Sequence, residues 1–266
     1  MSATVIENGL VHYEAFGRGS PPIIFLHGWL GSWRYWMQTM ESLAVDHRVI
    51  AIDLWGFGDS EKNENLFTID KQATLVEKFI TSLGISRPIL VGHSLGALVA
   101  IEYASRHTDD VNKIMAVSLP LSHDAVDARL KSFSESSLIS NLRKKMFGWK
   151  PIPDKDIEEE AERAAERAIV TSLASLESYN PLMKLTALNC DILIVFGEKD
   201  DVVKLEPVEQ INGRLDFVKH IILPATRHFP MIDDGPKFNR LLKDFVERDA
   251  TLESLTLKEE WRRRTR

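Results

Sequence analysis

Gly92-His93-Ser94-Leu95-Gly96 is the stretch of this 266-residue chain where residue type and spacing combine into chemistry. The residues before it, Pro88-Ile89-Leu90-Val91, read as a buried strand. Those after it, Ala97 to Ala104, read as a helix. A Gly-x-Ser-x-Gly between a strand and a helix makes a very tight turn. Ser94 must take strained backbone, and a side chain at 92 or 96 would collide with the neighbouring strand or helix. The turn lifts the hydroxyl clear of the sheet. It also points the amide of Leu95 and the helix start at one small volume, where an anion can be stabilised.

A serine hydroxyl is a poor nucleophile at neutral pH. It needs an adjacent base, and the base needs a group that holds its tautomer. In a parallel sheet such groups gather at the carboxyl ends of strands. Two loops after strand patterns supply them: Gly197-Glu198-Lys199-Asp200-Asp201 and Pro224-Ala225-Thr226-Arg227-His228-Phe229-Pro230. The chain order Ser94, Asp200, His228 suits a strand–turn–helix nucleophile. Asp201 and Asp124 are rival acids. His220 alternates within a strand and reads as structural. His93 reads as taking no chemical part, and His27 as bracing its own loop. Asp53 and Asp59 read as turn formers, since Asp readily bonds its own backbone.

The elements that must position these groups follow from hydrophobic pattern. Thr4-Val5-Ile6 and Leu10 to Phe16, separated by Asn8-Gly9, read as a hairpin. Pro22-Ile23-Ile24-Phe25-Leu26 and Arg48-Val49-Ile50-Ala51-Ile52 are continuous apolar runs, typical of strands buried on both faces. The first leads into His27-Gly28-Trp29-Leu30-Gly31-Ser32, where Ser32 can cap a helix through Tyr35, Met37, Met40 and Leu43. Ile69 to Leu83 is an amphipathic helix stopped by Gly84. Further strands are Lys113 to Val117, Asp191 to Phe196 and Val218 to Leu223, with a closing helix from Lys237 to Val246.

Alternating buried strands and helices imply an α/β fold with a mostly parallel eight-stranded sheet covered on both faces. From Pro120 to Leu188 the alternation breaks. Leu138 to Phe147 and Ile157 to Tyr179 read as helices. The expected organisation is a core over 1–119 and 189–248, an inserted α-helical cap over 120–188 and a C-terminal tail over 249–266. The tail carries Leu252, Leu255, Leu257 and Trp261 before a basic end, and reads as loosely packed or docked as a helix.

Composition narrows the class. A chain with 44% hydrophobic residues can bury one large core. The formal charge of −6 gives no electrostatic case for nucleic acid. No apolar stretch approaches the roughly 18 residues of a membrane span, and the N-terminus has no secretory pattern. The single cysteine, Cys190, excludes an internal disulfide and fits a reducing compartment, so a cytoplasmic location is expected. No metal-ligand spacing is found among the eight histidines, and no cofactor is expected.

Together, His27-Gly28-Trp29, Asp53 to Ser60 with Gly56 and Gly58, Gly92 to Gly96, Gly197 to Asp200 and His228-Phe229-Pro230 resemble a serine-dependent α/β-hydrolase with a helical cap. The resemblance spans residues 10–120 and 190–247. It implies Ser94 as nucleophile, His228 as base and then acid, and Asp200 as the group that orients it. Asp200 is preferred over Asp201 because it aligns with the family motif and leaves Val202-Val203 turning inward. The resemblance also implies backbone amides of Trp29 and Leu95 as an oxyanion hole. Trp55, Phe57, Phe147, Trp149, Met183 and Phe229 are candidates for an apolar acyl pocket.

The implied activity is hydrolysis of carboxylic esters or related acyl compounds through an acyl-enzyme, with a small-molecule acyl substrate. The alternatives are a cofactor-free perhydrolase or haloperoxidase, a carbon–carbon bond hydrolase, and a ligand receptor with slow turnover. Epoxide hydrolases and haloalkane dehalogenases share the core but need a carboxylate where Ser94 stands. A homodimer would form through the cap or the C-terminal tail.

Overall fold

The computed structural model describes residues 2–128, 163–205, 215–247 and 249–257, together with Glu159 and Ile211. Phe147 and Trp149, the expected helix from Leu138 to Phe147 and the basic end of the tail lie outside the described residues.

Eight strands form one sheet: β1 (Ser2–Ile6), β2 (Gly9–Phe16), β3 (Ile23–Leu26), β4 (Val49–Ile52), β5 (Ile89–His93), β6 (Lys113–Val117), β7 (Asp191–Gly197) and β8 (Val218–Leu223). Their spatial order is β1-β2-β4-β3-β5-β6-β7-β8. β1 and β2 pair antiparallel, β2 pairs antiparallel with β4, and the other pairings are parallel. Every residue of β3, β4, β5 and β6 is buried, as their continuous apolar runs require when helices cover both faces. β1, at the sheet edge, alternates between partly exposed and exposed positions until Ile6.

The hairpin turn differs from the expectation by one residue. Ile6 pairs with Gly9, so the two-residue loop is Glu7-Asn8, and both take positive φ (49° and 66°). A two-residue hairpin needs both central residues left-handed to match the strand twist, and Gly9 is the first strand residue beyond it.

The flanking helices are α1 (Met37–Leu43), α2 (Ile69–Ser82), α3 (Leu95–Arg106), α4 (Glu166–Glu177), α5 (Pro181–Thr186), α6 (Pro230–Asp233) and α7 (Gly235–Val246). Ser32 caps a 3-10 turn over Trp33–Trp36, and α1 follows it. On α2, the Thr68 hydroxyl accepts from the Lys71 amide, and Ile69, Ala73, Leu75, Val76, Phe79 and Ile80 are buried. Ten consecutive residues of α3, Leu95 to Ala104, are buried. This helix therefore lies between layers, with no solvent face over that stretch. Helices α4 and α5 belong to the segment between β6 and β7.

The described residues after α7 are held against the core. Leu252 and Leu255 are buried. Lys113 donates to the carbonyls of Phe245, Glu247 and Ala250, and Lys219 to those of Leu252 and Glu253.

β3 is the point where the strand order reverses: the next strand in sequence, β4, lies on one side and β5 on the other. In open α/β sheets, ligands bind beyond the carboxyl ends of strands at such a point. Trp29 follows β3 and Ser94 follows β5.

Candidate active site

The elbow at Ser94 is built as its glycines demand. A Cβ on Gly92 would lie 2.3 Å from the Gly96 carbonyl oxygen, and one on Gly96 would lie 2.2 Å from that of Leu26. β5, the start of α3 and the end of β3 therefore meet without room for side chains. Ser94 has φ 51° and ψ −110°, a strained conformation for a residue with a Cβ. Its amide is held by the Val117 carbonyl at 2.8 Å, and its carbonyl accepts the first amides of α3, Ala97 and Leu98.

Asp200 and His228 come from adjacent strands. Gly197 pairs with Leu223, and pairing continues past the strand ends through Glu198 N–H to Leu223 O (3.0 Å) and Lys199 N–H to Thr226 O (2.8 Å). The two loops thus leave the sheet together. His228 Nδ1 lies 2.9 and 3.1 Å from the two oxygens of Asp200. A carboxylate only accepts, so Nδ1 carries the proton and Nε2 presents a lone pair. Burial pushes the Asp200 carboxyl up, but the His228 charge and hydrogen bond, the Val203 amide and the Ser118 hydroxyl outweigh it and hold the group at about 2. Asp201 is exposed. Asp124 is also exposed, in a 3-10 turn after β6.

His228 is carried across β6 toward the elbow by its own backbone. Its carbonyl accepts from His93 Nε2 at 2.9 Å and from the Ser118 hydroxyl at 3.3 Å. The His93 and His228 ring centroids are 4.7 Å apart. Ser94 Oγ and His228 Nε2 are both buried with no hydrogen-bond partner. A buried hydroxyl and a buried imidazole lone pair left unsatisfied are expensive in a structural core. They are the two atoms that a proton-transferring nucleophile and base must keep available.

The loop after β3 is tightly held. His27 Nδ1 donates to Gly28 O at 2.9 Å, and Gly31 N–H donates to the same oxygen at 3.1 Å. His27 Nε2 accepts from the Leu54 amide at 2.9 Å, which fixes the neutral tautomer. Burial pushes the His27 pKa down, against the pull of Asp53, and keeps the ring neutral. In a trans peptide the N–H opposes the C=O, so pinning Gly28 O also aims the Trp29 amide.

The residues expected to line a pocket are spread out. Phe57 meets the His27 ring edge-on at 5.3 Å. Phe229 is buried against the rings of Tyr35, His93 and His228, and so braces the His228 ring. Trp55 turns its ring away toward the hairpin, where a Cβ on Gly9 would touch it at 3.0 Å. Gln72 clamps its backbone from both sides, accepting from its N–H and donating to its C=O. Met183 sits on the outer side of α5 and is 63% exposed.

Asp53 is more than a turn former. Besides accepting from the Asp59 amide, it accepts from Trp33 N–H at 2.7 Å and from His12 Nδ1 at 2.8 Å. His12, Asp53 and Asp59 are, among the described residues, a group with metal-ligand spacing. The Asp53 oxygens are already engaged by amides and His12, so the group reads as a hydrogen-bond hub joining β2, the turn after β3 and the loop after β4. Tyr35, Ser118 and Ser172 were not legible as site residues. Their roles depend on contacts with chain far away in sequence, as at Trp29 Nε1 to Ser172 Oγ.

An eight-stranded, mostly parallel sheet with a strained serine turn after its fifth strand defines the α/β-hydrolase fold. The model of the α/β-hydrolase fold family matches residues 21–150 of this chain. It is 25% identical over 275 residues to epoxide hydrolase 3 of Xenopus tropicalis, a match covering 90% of this chain and 75% of that protein. It is 23% identical over 257 residues to the pimeloyl-[acyl-carrier protein] methyl ester esterase of Vibrio campbellii, covering 89% and 98%. The enol-lactonase of Burkholderia xenovorans superposes with a TM-score of 0.81 at 15% identity, covering 92% of this chain and 99% of that one. Among the described residues, no helix is long and apolar enough to cross a membrane.

Proposed function

We propose that this protein is a serine hydrolase that cleaves carboxylic esters or related acyl compounds through an acyl-enzyme. The observation that carries the reading is the polarity of the site. Asp200 fixes the His228 proton on Nδ1, leaving a buried Nε2 lone pair, while the Ser94 hydroxyl stands buried and unpartnered on its strained turn.

In this reading Ser94 Oγ attacks the acyl carbon as its proton passes to His228 Nε2. The imidazolium that forms is stabilised by the Asp200 carboxylate, which stays ionised. The tetrahedral oxyanion is held by the backbone amides of Trp29 and Leu95. His228 then returns the proton to the leaving alcohol as the carbon–oxygen bond breaks. A water molecule, deprotonated by the same Nε2, releases the acid from Ser94. Helices α4 and α5 would form part of a cap over this site, with Phe57 near the acyl group.

A relative is named as an epoxide hydrolase. Position 94 here offers a hydroxyl, so attack by a carboxylate at the elbow has no counterpart. Relatives named for cleaving a methyl ester and an enol lactone support the acyl reading.

The test is hydrolysis of p-nitrophenyl esters from acetate to decanoate by wild type, Ser94→Ala and His228→Ala. Wild type should turn over, and each variant should lose at least about a thousandfold in kcat while remaining folded. Retained turnover in Ser94→Ala overturns the proposal.

A further inference from the structure

We propose that Ser172, on α4, is a positioning residue for the reaction: by holding the Trp29 indole it sets the direction of the Trp29 amide toward the site of Ser94. This rests on the acyl-transfer reading above.

Trp29 carries two relevant groups on one Cα. Its amide is the candidate oxyanion donor. Its indole is fully buried, and Nε1–H donates to Ser172 Oγ at 2.8 Å, from a helix 143 residues further along the chain. The Ser172 hydroxyl has a single proton, and that proton has carbonyl partners on its own helix: Ala168 O at 2.6 Å and Ile169 O at 3.1 Å. The oxygen lone pairs are therefore left for the indole.

The loop needs this hold. Leu30, immediately after Trp29, has φ 61°, a left-handed conformation that a residue with a branched side chain adopts only under constraint. Strained backbone of this kind persists where its surroundings over-determine it. The peptide between Gly28 and Trp29 is pinned at its carbonyl by His27 and Gly31. Relaxation of the Leu30 strain would then proceed by rotation about the backbone bonds of Trp29, which swings the indole. The Ser172 hydrogen bond resists that swing, so the amide and the indole are fixed together.

Helix α4 is a firm anchor. Ala165 N–H donates to Gly56 O at 2.8 Å, and Ile69 N–H donates to Ser175 Oγ at 3.3 Å. A Cβ on Gly56 would stand 2.4 Å from Ala168 Cβ, so helix and loop are in direct contact. Ala168, Ser172 and Ser175 fall on one face of α4 at helical spacing and bring it down onto two loops of the core and the start of α2. A buried indole also gains a partner in an ordinary core. The two roles differ in what they predict: a packing role affects the folded fraction, and a positioning role affects turnover by the folded enzyme.

The experiment compares wild type, Ser172→Ala, Trp29→Phe and the double variant. The measurements are p-nitrophenyl ester kinetics, active sites titrated with a fluorophosphonate, and inhibition by a trifluoromethyl ketone, whose serine adduct places an oxyanion in the hole. Per titrated site, Ser172→Ala should lower kcat about tenfold with KM within twofold, since a misdirected donor forfeits part of the 100- to 1000-fold worth of one oxyanion contact. Trifluoromethyl ketone inhibition should weaken by about the same factor. Trp29→Phe keeps the amide and should lose as much, and the double variant no more than the larger single loss.

Unchanged kcat per site in Ser172→Ala, or losses that multiply in the double variant, overturns the positioning role. If Ser172→Ala does not fold, unchanged kcat per site in Trp29→Phe does the same. A wild type that neither turns over the esters nor is labelled by the fluorophosphonate overturns the acyl-transfer reading itself, and this role with it.

Discussion

The Tyr35 hydroxyl links the loop after β3 to the ring of His93. It accepts from the Gly28 amide and lies 3.1 Å from His93 Nδ1. His93 Nε2 must donate to the His228 carbonyl, so Nδ1 is the acceptor and the Tyr35 proton points to it. A one-way chain of hydrogen bonds therefore runs from Gly28 N–H through Tyr35 and His93 to the backbone of His228. It ties the candidate oxyanion loop to the candidate base. Burial pushes the Tyr35 pKa well above its ordinary value, which keeps the hydroxyl protonated as this chain requires.

Tyr35→Phe removes the middle of the chain and leaves a buried amide and a buried imidazole nitrogen unpaired. The expected cost is about 1–3 kcal/mol in urea unfolding. Because both halves of the site lose a support, kcat on p-nitrophenyl esters should fall about tenfold, with KM little changed. A variant as active as wild type would mean that the two loops hold their positions without Tyr35.

His93 makes stability depend on pH. Burial, reinforced by the nearby His228 charge, depresses its pKa well below the ordinary value. The unfolded chain takes up a proton below about pH 6.5 that the folded state excludes. Stability is therefore full above that pH and declines as pH falls, by up to about 1.4 kcal/mol per unit for one group. His93→Gln should flatten the fall in urea midpoint between pH 7.5 and 5. His27, also held neutral by burial, contributes a residual slope of the same sign. An identical slope in wild type and His93→Gln would exclude His93 as its source.

What could be read in advance was what local pattern controls. The apolar runs of β3 and β4, the amphipathic face of α2 and the glycines at 92 and 96 leave little choice of fold, because each needs burial or a close approach that one architecture supplies. The order Ser94, Asp200, His228 follows from the same strand ends. Contacts between distant chain could not be read. Tyr35 has the spacing of an ordinary core residue, and only packing brings its hydroxyl to His93. Ser172 is one of two serines on α4, and its meeting with Trp29 depends on how α4 lies on the core. Pattern alone does not say which way a large apolar side chain points, whether it follows a strand, as Trp55 does, or lies on the inserted segment, as Met183 does. Gln72 instead fixes the backbone of Trp55 and its ring packs at the hairpin, while Met183 faces solvent.

Lys113 holds the C-terminal segment. Its ammonium is nearly buried and donates to three carbonyls, of Phe245, Glu247 and Ala250, at 3.0 to 3.3 Å. These include carbonyls at the end of α7, where a cation is favoured. Lys113→Met preserves the bulk of the side chain and removes the donors. The residues from 247 onward should then be cut by trypsin or proteinase K under native conditions at least several times faster than in wild type, with ester turnover retained. Equal cleavage rates would show that burial of Leu252 and Leu255 holds the segment unaided.

Two adjacent carboxylates, Asp200 and Asp201, separate cleanly by their surroundings. The Asp200 side chain is 2% exposed and accepts from His228 Nδ1 and from the Val202 and Val203 amides at 2.9 and 3.0 Å, while Asp201 is exposed. With its pKa held at about 2, Asp200 is ionised wherever an esterase is assayed. Asp200→Asn keeps the shape but replaces an acceptor-only group with one that can donate to Nδ1. That favours the tautomer with the proton on Nε2, where it blocks acceptance from Ser94. The expected loss is about 10,000-fold in kcat. Asp201→Asn removes a solvated charge and should stay within about twofold of wild type. Steady-state kinetics of the two variants on one ester decide the matter. A severe loss in Asp201→Asn with Asp200→Asn spared would reassign the acid, and comparable small losses in both would mean that His228 does not depend on a carboxylate for its tautomer.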